Sequence, residues 1–293
     1  MLHKNLKLIT RKIMILFFLV FFILYFMHFL IRIFIADRFI IPSNSMYPTL
    51  ISGDRIVVNK ILFGARIYTQ FQFSQLNPNL KIFRMNGLRE IKYNDILVYN
   101  RIVHAQQISF KINDLMCKRC VGLPGDTIRI INGKYLNNNF SGLLGSQQGL
   151  KSTGRFSDFY TSKTSLKSMP QDKHFDWTIC DFGPMYIPRK NDIIKINPKT
   201  ATLYKLILEW ELGEKIKIDW SNDKVTTSQR TILRHKFMHN YYFMAGDNIL
   251  NSVDSRYEGP IPEEFLIGIA KWILYSKSPQ NGEIRWERLL KEI

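Results

Sequence analysis

The sequence predicts a mainly β protein carried by one N-terminal membrane helix, and three observations support that class. Residues 13–35 form an almost unbroken apolar run. After them a turn closing in Gly-Asp or Asn-Asp recurs, each time opening a β-branched stretch. Between the two lies a Ser/Pro loop, Ile41-Pro42-Ser43-Asn44-Ser45-Met46-Tyr47-Pro48-Thr49-Leu50. At 293 residues and 46% hydrophobic composition the chain can bury a sizeable core, as one large or two smaller domains. The net charge of +17 is spread along the chain, without a Lys/Arg tract or an aromatic-basic module, so phospholipid surfaces rank first as its partner and no nucleic acid is expected.

Residues 1–12 carry Lys4, Lys7, Arg11 and Lys12 and no acid; only His28 and Arg32 interrupt the apolar run from Ile13 to Ile35. As a helix it rises about 34 Å at about 1.5 Å per residue, enough for a hydrocarbon core of about 30 Å. A cleaved signal peptide has a shorter apolar core and ends at a small-x-small site, whereas this run ends in Phe34-Ile35-Ala36-Asp37-Arg38. The segment therefore reads as a retained anchor. Its basic N-terminus places residues 1–12 in the cytoplasm and everything after residue 36 outside. Arg32 is close enough to the outer end to snorkel, and His28 reads as a tolerated polar residue.

In the serine loop two prolines flank two serines within seven residues, which limits the backbone to extended conformations. That suits a nucleophile fixed before substrate arrives, although such clusters also form ordinary loops. The predicted strands follow at Asp54-Arg55-Ile56-Val57-Val58, Asn94-Asp95-Ile96-Leu97-Val98, Gly125-Asp126-Thr127-Ile128-Arg129-Ile130 and Asn191-Asp192-Ile193-Ile194-Lys195. Their uneven spacing argues for antiparallel strands entered from tight turns rather than a solenoid. Residues 61–92 are mixed, with a loop at Asn77-Pro78-Asn79, and residues 133–184 read as a long surface excursion. Leu203, Leu206, Ile207 and Trp210 predict a helix from Thr200 to Leu212, and Ile284, Leu289 and Leu290 predict a short C-terminal helix.

A serine hydroxyl needs a base to take its proton. His3 and His28 belong to the anchor region; His104 has only Asp95 as a candidate triad acid, and His235 and His239 have Lys236 where a zinc hydrolase needs glutamate. Lys118 is the stronger base. It lies in the strand-like Leu115-Met116-Cys117-Lys118-Arg119-Cys120-Val121, where burial would lower its pKa; a snorkelling lysine paired with an acid is the plainer alternative. Between Gly246 and Pro260, Ser252 is the kind of neutral partner that orients an amine, and Asp254 with Arg256 can form a supporting ion pair, although a self-satisfied polar loop has the same composition. Cys117 and Cys120 have C-x-x-C spacing, but on a strand residues three apart face opposite sides, and Cys180 is the third and last cysteine. Neither a metal nor another cofactor is expected.

In kind and in order these stretches resemble the bacterial type I signal peptidases, membrane-anchored serine proteases that remove signal peptides from exported proteins. The resemblance rests on an N-terminal anchor, Pro42 to Leu50, Gly53-Asp54-Arg55-Ile56-Val57-Val58-Asn59-Lys60, Lys118 to Asp126, and Gly246-Asp247-Asn248 with Asn251-Ser252, Asp254-Ser255-Arg256-Tyr257 and Gly259. It implies a Ser45 nucleophile and a Lys118 general base, Ser43 in the oxyanion hole beside the Ser45 N–H, Ser252 orienting Lys118, and Asp254 and Arg256 shaping the site. It further implies signal-peptide-bearing preproteins as substrates, cut after a small-x-small motif, and an antiparallel, barrel-like catalytic domain on the outer face of the cell membrane. The division expected is a cytoplasmic N-terminus at 1–12, an anchor at 13–35, catalytic parts at 36–132 and 241–293, and a non-catalytic insertion at 133–240. A self-cleaving Ser-Lys regulator is the rival with the same chemistry, although such regulators carry a DNA-binding domain where this chain has an anchor. The rival of another class is a membrane-tethered, β-rich, non-catalytic assembly module.

Overall fold

The computed structural model describes residues 2–69, 81–146 and 166–293, so the Asn77-Pro78-Asn79 loop lies outside the described residues. Helix α1 (Leu2–Leu30) contains neither glycine nor proline and continues into a single π turn, Ile31–Ile35. The span Thr10–Ile35 has a mean hydropathy of 2.7, with none of its most apolar stretch buried in the protein, and is long and apolar enough to cross a membrane. Its last turn would leave carbonyls without partners. Lys60 supplies them: its backbone N–H donates to the Ile35 carbonyl at 2.8 Å and its Nζ to the Arg32 carbonyl at 2.6 Å. The chain passes from this turn directly into strand β1 (Ala36–Ile40).

The main sheet is antiparallel and mixes strands from both ends of the chain. Besides β1 it contains β2 (Asp54–Asn59), β3 (Ile96–Asn100), β4 (Leu115–Gly122), β5 (Tyr241–Ala245), β6 (Ile261–Pro262) and β7 (Leu266–Ser276), in the order β1-β2-β7-β3-β4-β5-β6, with β8 (Lys291–Glu292) added to β7. Register shifts at three places along β7 mark bulges that curl the sheet. At Gly268 the partner strand comes so close that a Cβ would stand 2.7 Å from the Asn59 carbonyl oxygen. One core cluster contains Cys120, Val121 and Phe243; the other contains Ile41, Met46, Leu50 and Val98.

The recurring turn has a common construction. Gly53, Asn94, Gly125 and Asn191 all have positive φ, and the aspartate after each donates its N–H back three residues, to Ile51, Lys92, Leu123 and Arg189. Glycine and asparagine tolerate that conformation best. In three of the four the aspartate side chain also accepts from the first residue of the turn, as from Ile51 N–H to Asp54 at 2.9 Å. A closed turn that accepts its own backbone groups fixes where the strand starts, and strands follow at Asp54–Asn59, Ile96–Asn100, Thr127–Ile131 and Ile193–Lys195.

Three expectations need correction. The described part of 133–184 is no surface excursion: Lys134–Asn137 and Phe182–Tyr186 pair with Thr127–Ile131, and Tyr135, Leu144 and Phe182 enter the core. The helix at 200–212 is two helices, α2 (Pro198–Leu203), opened by an Asn197–Thr200 capping box, and α3 (Lys205–Leu212), closed by left-handed Gly213. Near the C-terminus Ile284, Leu289 and Leu290 are exposed, so no apolar face exists to stabilise a helix, and the chain forms a 3-10 turn (Trp286–Arg288) followed by β8. What is buried there is the polar Arg288, whose guanidinium donates to Asp54 at 2.9 and 2.6 Å and to the Thr49 carbonyl at 2.9 Å.

Candidate active site

The serine loop joins β1 to β2 and is closed at its base by Ile41 and Asp54, whose main chains meet through Ile41 N–H to the Asp54 carbonyl at 2.8 Å. Gly53 permits this closure: a Cβ there would lie 1.9 Å from the Lys277 carbonyl oxygen. Met46 and Leu50 are buried, and the Leu50 N–H donates to the Met46 carbonyl at 2.9 Å, so the residues after Ser45 turn inward. Ser45 itself stays half-exposed and Ser43 exposed. The Ser43 hydroxyl donates to the Ser45 Oγ at 3.4 Å, a long bond.

Strand β4 brings Lys118 to the same point. Its Nζ donates to Ser45 Oγ at 2.7 Å and to the Cys117 carbonyl at 3.1 Å. Only 3% of Lys118 is exposed, and this burial pushes the amine below its ordinary range despite the opposing charge of Asp254 and Glu258. Neither of its hydrogen-bond acceptors is a carboxylate. A neutral amine in contact with a hydroxyl can accept its proton, and the ammonium so formed can return it.

A second loop, after β5, holds the serine by its backbone. The Asn248 N–H donates to the Ser45 carbonyl at 3.0 Å and its Nδ2 to the Asn44 carbonyl at 3.1 Å. Next to it Asp247 receives the Arg119 guanidinium in two bonds of 2.7 Å and the Thr49 hydroxyl as well. That knot ties the lysine strand, the serine loop and the loop after β5 together. Deeper lie Asp254 and Arg256, both fully buried and joined at 2.9 and 2.8 Å. Burial pushes the Asp254 carboxyl up, but the charge of Arg256 overrides it and holds the carboxyl below its ordinary range. Asp254 also accepts the Gly246 N–H at 2.9 Å, which sets the start of the loop.

Ser252 is brought into the same layer but not into a bond with Lys118. Its buried hydroxyl has no well-aligned hydrogen-bond partner among the described residues, although it lies near enough to Asp254 to help lower that carboxyl. It presses on Gly246, where a Cβ would come within 2.1 Å of Ser252 Oγ.

The rival bases are occupied elsewhere. Asp95, the acid considered for His104, is held by Arg89 in two bonds, and His104 instead sits 3.8 Å from Asp114. His235 and His239 bind different carboxylates, Glu211 and Glu264. Cys117 and Cys120 belong to opposite core clusters; burial pushes the Cys117 thiol up to about 12, so it is protonated at neutral pH. Among the described residues no three His, Cys, Asp or Glu side chains come together as metal donors. A cavity of about 620 Å³ lined by Arg129, His174 and Trp177 lies in the 127–203 region, and neither Ser45 nor Lys118 lines it.

Asn248, Arg119, Asp247, Thr49 and Arg288 are the site residues that sequence reasoning did not single out. The available signal was the density of charged and amide groups in motifs already noted, Lys118-Arg119 and Gly246-Asp247-Asn248. Nothing marked Arg288.

The family model described as signal peptidase, peptidase S26, matches residues 12–275. Signal peptidase I of Buchnera aphidicola from Schizaphis graminum is 33% identical over 261 residues, covering 87% of this chain and 73% of that protein. The counterpart from the Acyrthosiphon pisum strain is 29% identical, covering 88% and 74%, and signal peptidase I of Helicobacter pylori J99 is 25% identical, covering 90% and 88%. The matched region runs from the apolar helix through the serine loop and lysine strand into β7, so that fold, order of motifs and similarity agree: this chain belongs to the bacterial type I signal peptidases, peptidase family S26.

Proposed function

We propose that the protein removes N-terminal signal peptides from exported preproteins, with Ser45 as nucleophile and Lys118 as general base. The observation that carries this reading is the 2.7 Å contact between a buried lysine amine and a serine hydroxyl, without a carboxylate in hydrogen-bond contact to keep the amine charged. Neutral Lys118 takes the Ser45 proton as Oγ attacks the scissile carbonyl. The resulting oxyanion receives the Ser43 hydroxyl and the Ser45 N–H. Lys118 then protonates the leaving amine, and later takes a proton from the water that opens the acyl-enzyme. Ser252 acts one layer back, limiting where the lysine side chain can sit, and the Asp254–Arg256 pair fixes the loop that carries it.

The sheet supports a place for the substrate. Beyond β1 no strand pairs among the described residues, and β4 pairs with β3 over Leu115–Arg119 but with β5 only over Arg119–Gly122, so Leu115–Lys118 keeps one edge free. An extended peptide laid between these edges gains main-chain hydrogen bonds beside Ser45. Ile41, Met46, Phe39, Leu115 and Cys117 form its apolar surroundings, which suit the small uncharged side chains the family resemblance implies on either side of the cut. The proposed chemistry uses protein groups alone.

The helix at Thr10–Ile35 keeps the enzyme at the membrane that holds its substrates, replacing a search in three dimensions with one in a plane. The basic residues before it favour a cytoplasmic N-terminus at 1–12, an anchor at 13–35 and a catalytic domain outside, on the surface of anionic phospholipids in the cell membrane. Within that domain, 36–132 and 241–293 supply the catalytic parts and 133–240 the non-catalytic insertion. Nucleic acid has no role in this reading. The test is cleavage of a preprotein bearing a small-x-small site by the detergent-solubilised full chain. Wild type is expected to cut at that site and Ser45→Ala to leave the precursor intact; equal cutting by both would remove Ser45 from the mechanism.

A further inference from the structure

Where the membrane helix hands over to the sheet lies a cavity of about 280 Å³. Arg32 from the end of the apolar span, Arg38 from β1 and Arg55 from β2 line it, together with Ile40, Leu274 and Tyr275. The register places them together: Ile40 and Tyr275 both pair with Arg55, and side chains alternate along a strand, so Arg38, Ile40, Arg55 and Tyr275 share one face of the sheet. Trp272, paired with Val57, belongs to the same face and is exposed. Arginine with an exposed isoleucine and with Tyr and Trp is the composition of a membrane interface, and Arg32 fixes its depth at the outer end of the span.

The charges in the cavity are unbalanced. Asp37 is its acid, and Asp37 is already engaged by Arg32 at 2.9 Å and Lys60 at 3.6 Å. Arg38 and Arg55 have no carboxylate partner among the described residues. The Arg55 guanidinium lies over the Tyr275 ring at 4.9 Å, and its Nε is closed off from solvent with no acceptor. A buried N–H donor left without a partner is costly, and two free guanidinium groups facing one cavity match the oxygens of a phosphate. A free phosphate ion would account for the arginines but not for the apolar and aromatic wall.

We propose that this cavity binds the phosphodiester headgroup of an anionic membrane phospholipid, with Arg38 and Arg55 on the phosphate and Ile40 and Leu274 along the first acyl carbons. The inference rests on the anchor being retained in the membrane and is independent of the catalytic assignment. Because β1 runs from this cavity to Ile41 and the serine loop, a bound lipid also steadies the strand on which the proposed substrate edge depends.

Native mass spectrometry of the full chain in detergent tests it, with phosphatidylglycerol, phosphatidylcholine and inorganic phosphate added in separate arms. Wild type is expected to retain one phosphatidylglycerol in preference to phosphatidylcholine, and millimolar phosphate is expected not to displace it. Removing one guanidinium, in Arg38→Gln or Arg55→Gln, should weaken retention roughly fivefold each, with Lys replacements between; Lys236→Gln on the strand Arg234–Lys236 should have no effect. Arg38 is exposed, so Arg38→Gln decides the matter even where the Arg55 change lowers the melting temperature. Equal lipid retention by wild type and a folded Arg38→Gln would overturn the proposal, as would displacement of the lipid by inorganic phosphate.

Discussion

Two buried cations lie in adjoining layers of this protein and face opposite chemistry. Arg256 is fully buried, and a carboxylate, Asp254, meets it in two short bonds. Lys118 is almost as deeply buried, but its amine meets a hydroxyl and a carbonyl. Burial acts against charge in both places; the matched acid overrides it for Arg256, whose pKa is raised, and not for Lys118, whose pKa is lowered. The first arrangement therefore builds a fixed frame, and the second suits the proposed role of a base. Burial alone identifies neither, and the partner atom decides.

The sharpest way to break the contrast is to give position 118 the chemistry of position 256. Lys118→Arg keeps a cation that cannot lose its proton, so cleavage should fall by about 10²–10⁴-fold while the protein stays folded; activity within tenfold of wild type in a preprotein assay would mean that Lys118 is no base. Stripping the frame comes next. Arg256→Met leaves Asp254 buried and unpaired, with an expected loss of about 3–5 kcal/mol in urea unfolding, and a loss under about 1 kcal/mol would show that the pair is not a frame. The pH dependence of unfolding has the same sign at the two sites, in separate pH windows. Asp254, held below its ordinary pKa, contributes stability that is complete above the unfolded carboxyl's value and is lost as pH falls through the depressed one. Lys118, also lowered, has the same sign at higher pH: between its lowered pKa and that of the unfolded chain the unfolded state binds more protons, so stability rises with pH there too, and Lys118→Met should flatten that rise.

Smaller effects probe the hydroxyl side. Ser43→Ala should lower kcat by about 10²–10³-fold, about 2.7–4 kcal/mol, as for other oxyanion donors, with KM little changed. A rise in KM at unchanged kcat would instead make Ser43 a substrate-binding residue. Asn248→Ala removes one neutral bond, from its Nδ2 to the Asn44 carbonyl beside Ser45, and keeps the backbone N–H bond to Ser45. A loss of about 0.5–1.5 kcal/mol is expected to appear in kcat rather than in melting temperature, and the reverse pattern would make Asn248 a structural residue only.

Much of this was legible in the chain because it is local. The apolar run needs only length, and the four Gly-Asp or Asn-Asp turns announce their strands within a few residues. Asp254 and Arg256 are two positions apart, so an ion pair between them could be read directly. Arg119 and Asp247 are 128 positions apart, and Arg288 and Asp54 are 234 apart; no periodicity encodes such pairs, because the sheet interleaves strands from both ends of the chain. The C-terminal helix failed for a related reason. Ile284, Leu289 and Leu290 have helical spacing but no core to meet, and Arg288, facing inward to the serine loop, sets the local structure instead. The expected bond from Ser252 to Lys118 depends on hydroxyl placement within one layer of side chains, a detail below the resolution of any sequence pattern.

The central claim is that Lys118 is neutral when the enzyme works, and the pH profile of kcat/KM on a preprotein measures it most directly. With a lysine base whose pKa is lowered by burial, the rate should rise with pH and level off below 10.5, the ordinary value for lysine, and this rising limb should vanish in Lys118→Ala. A wild-type profile that climbs only near 10.5, or one that Lys118→Ala reproduces with undiminished rate, would contradict the account.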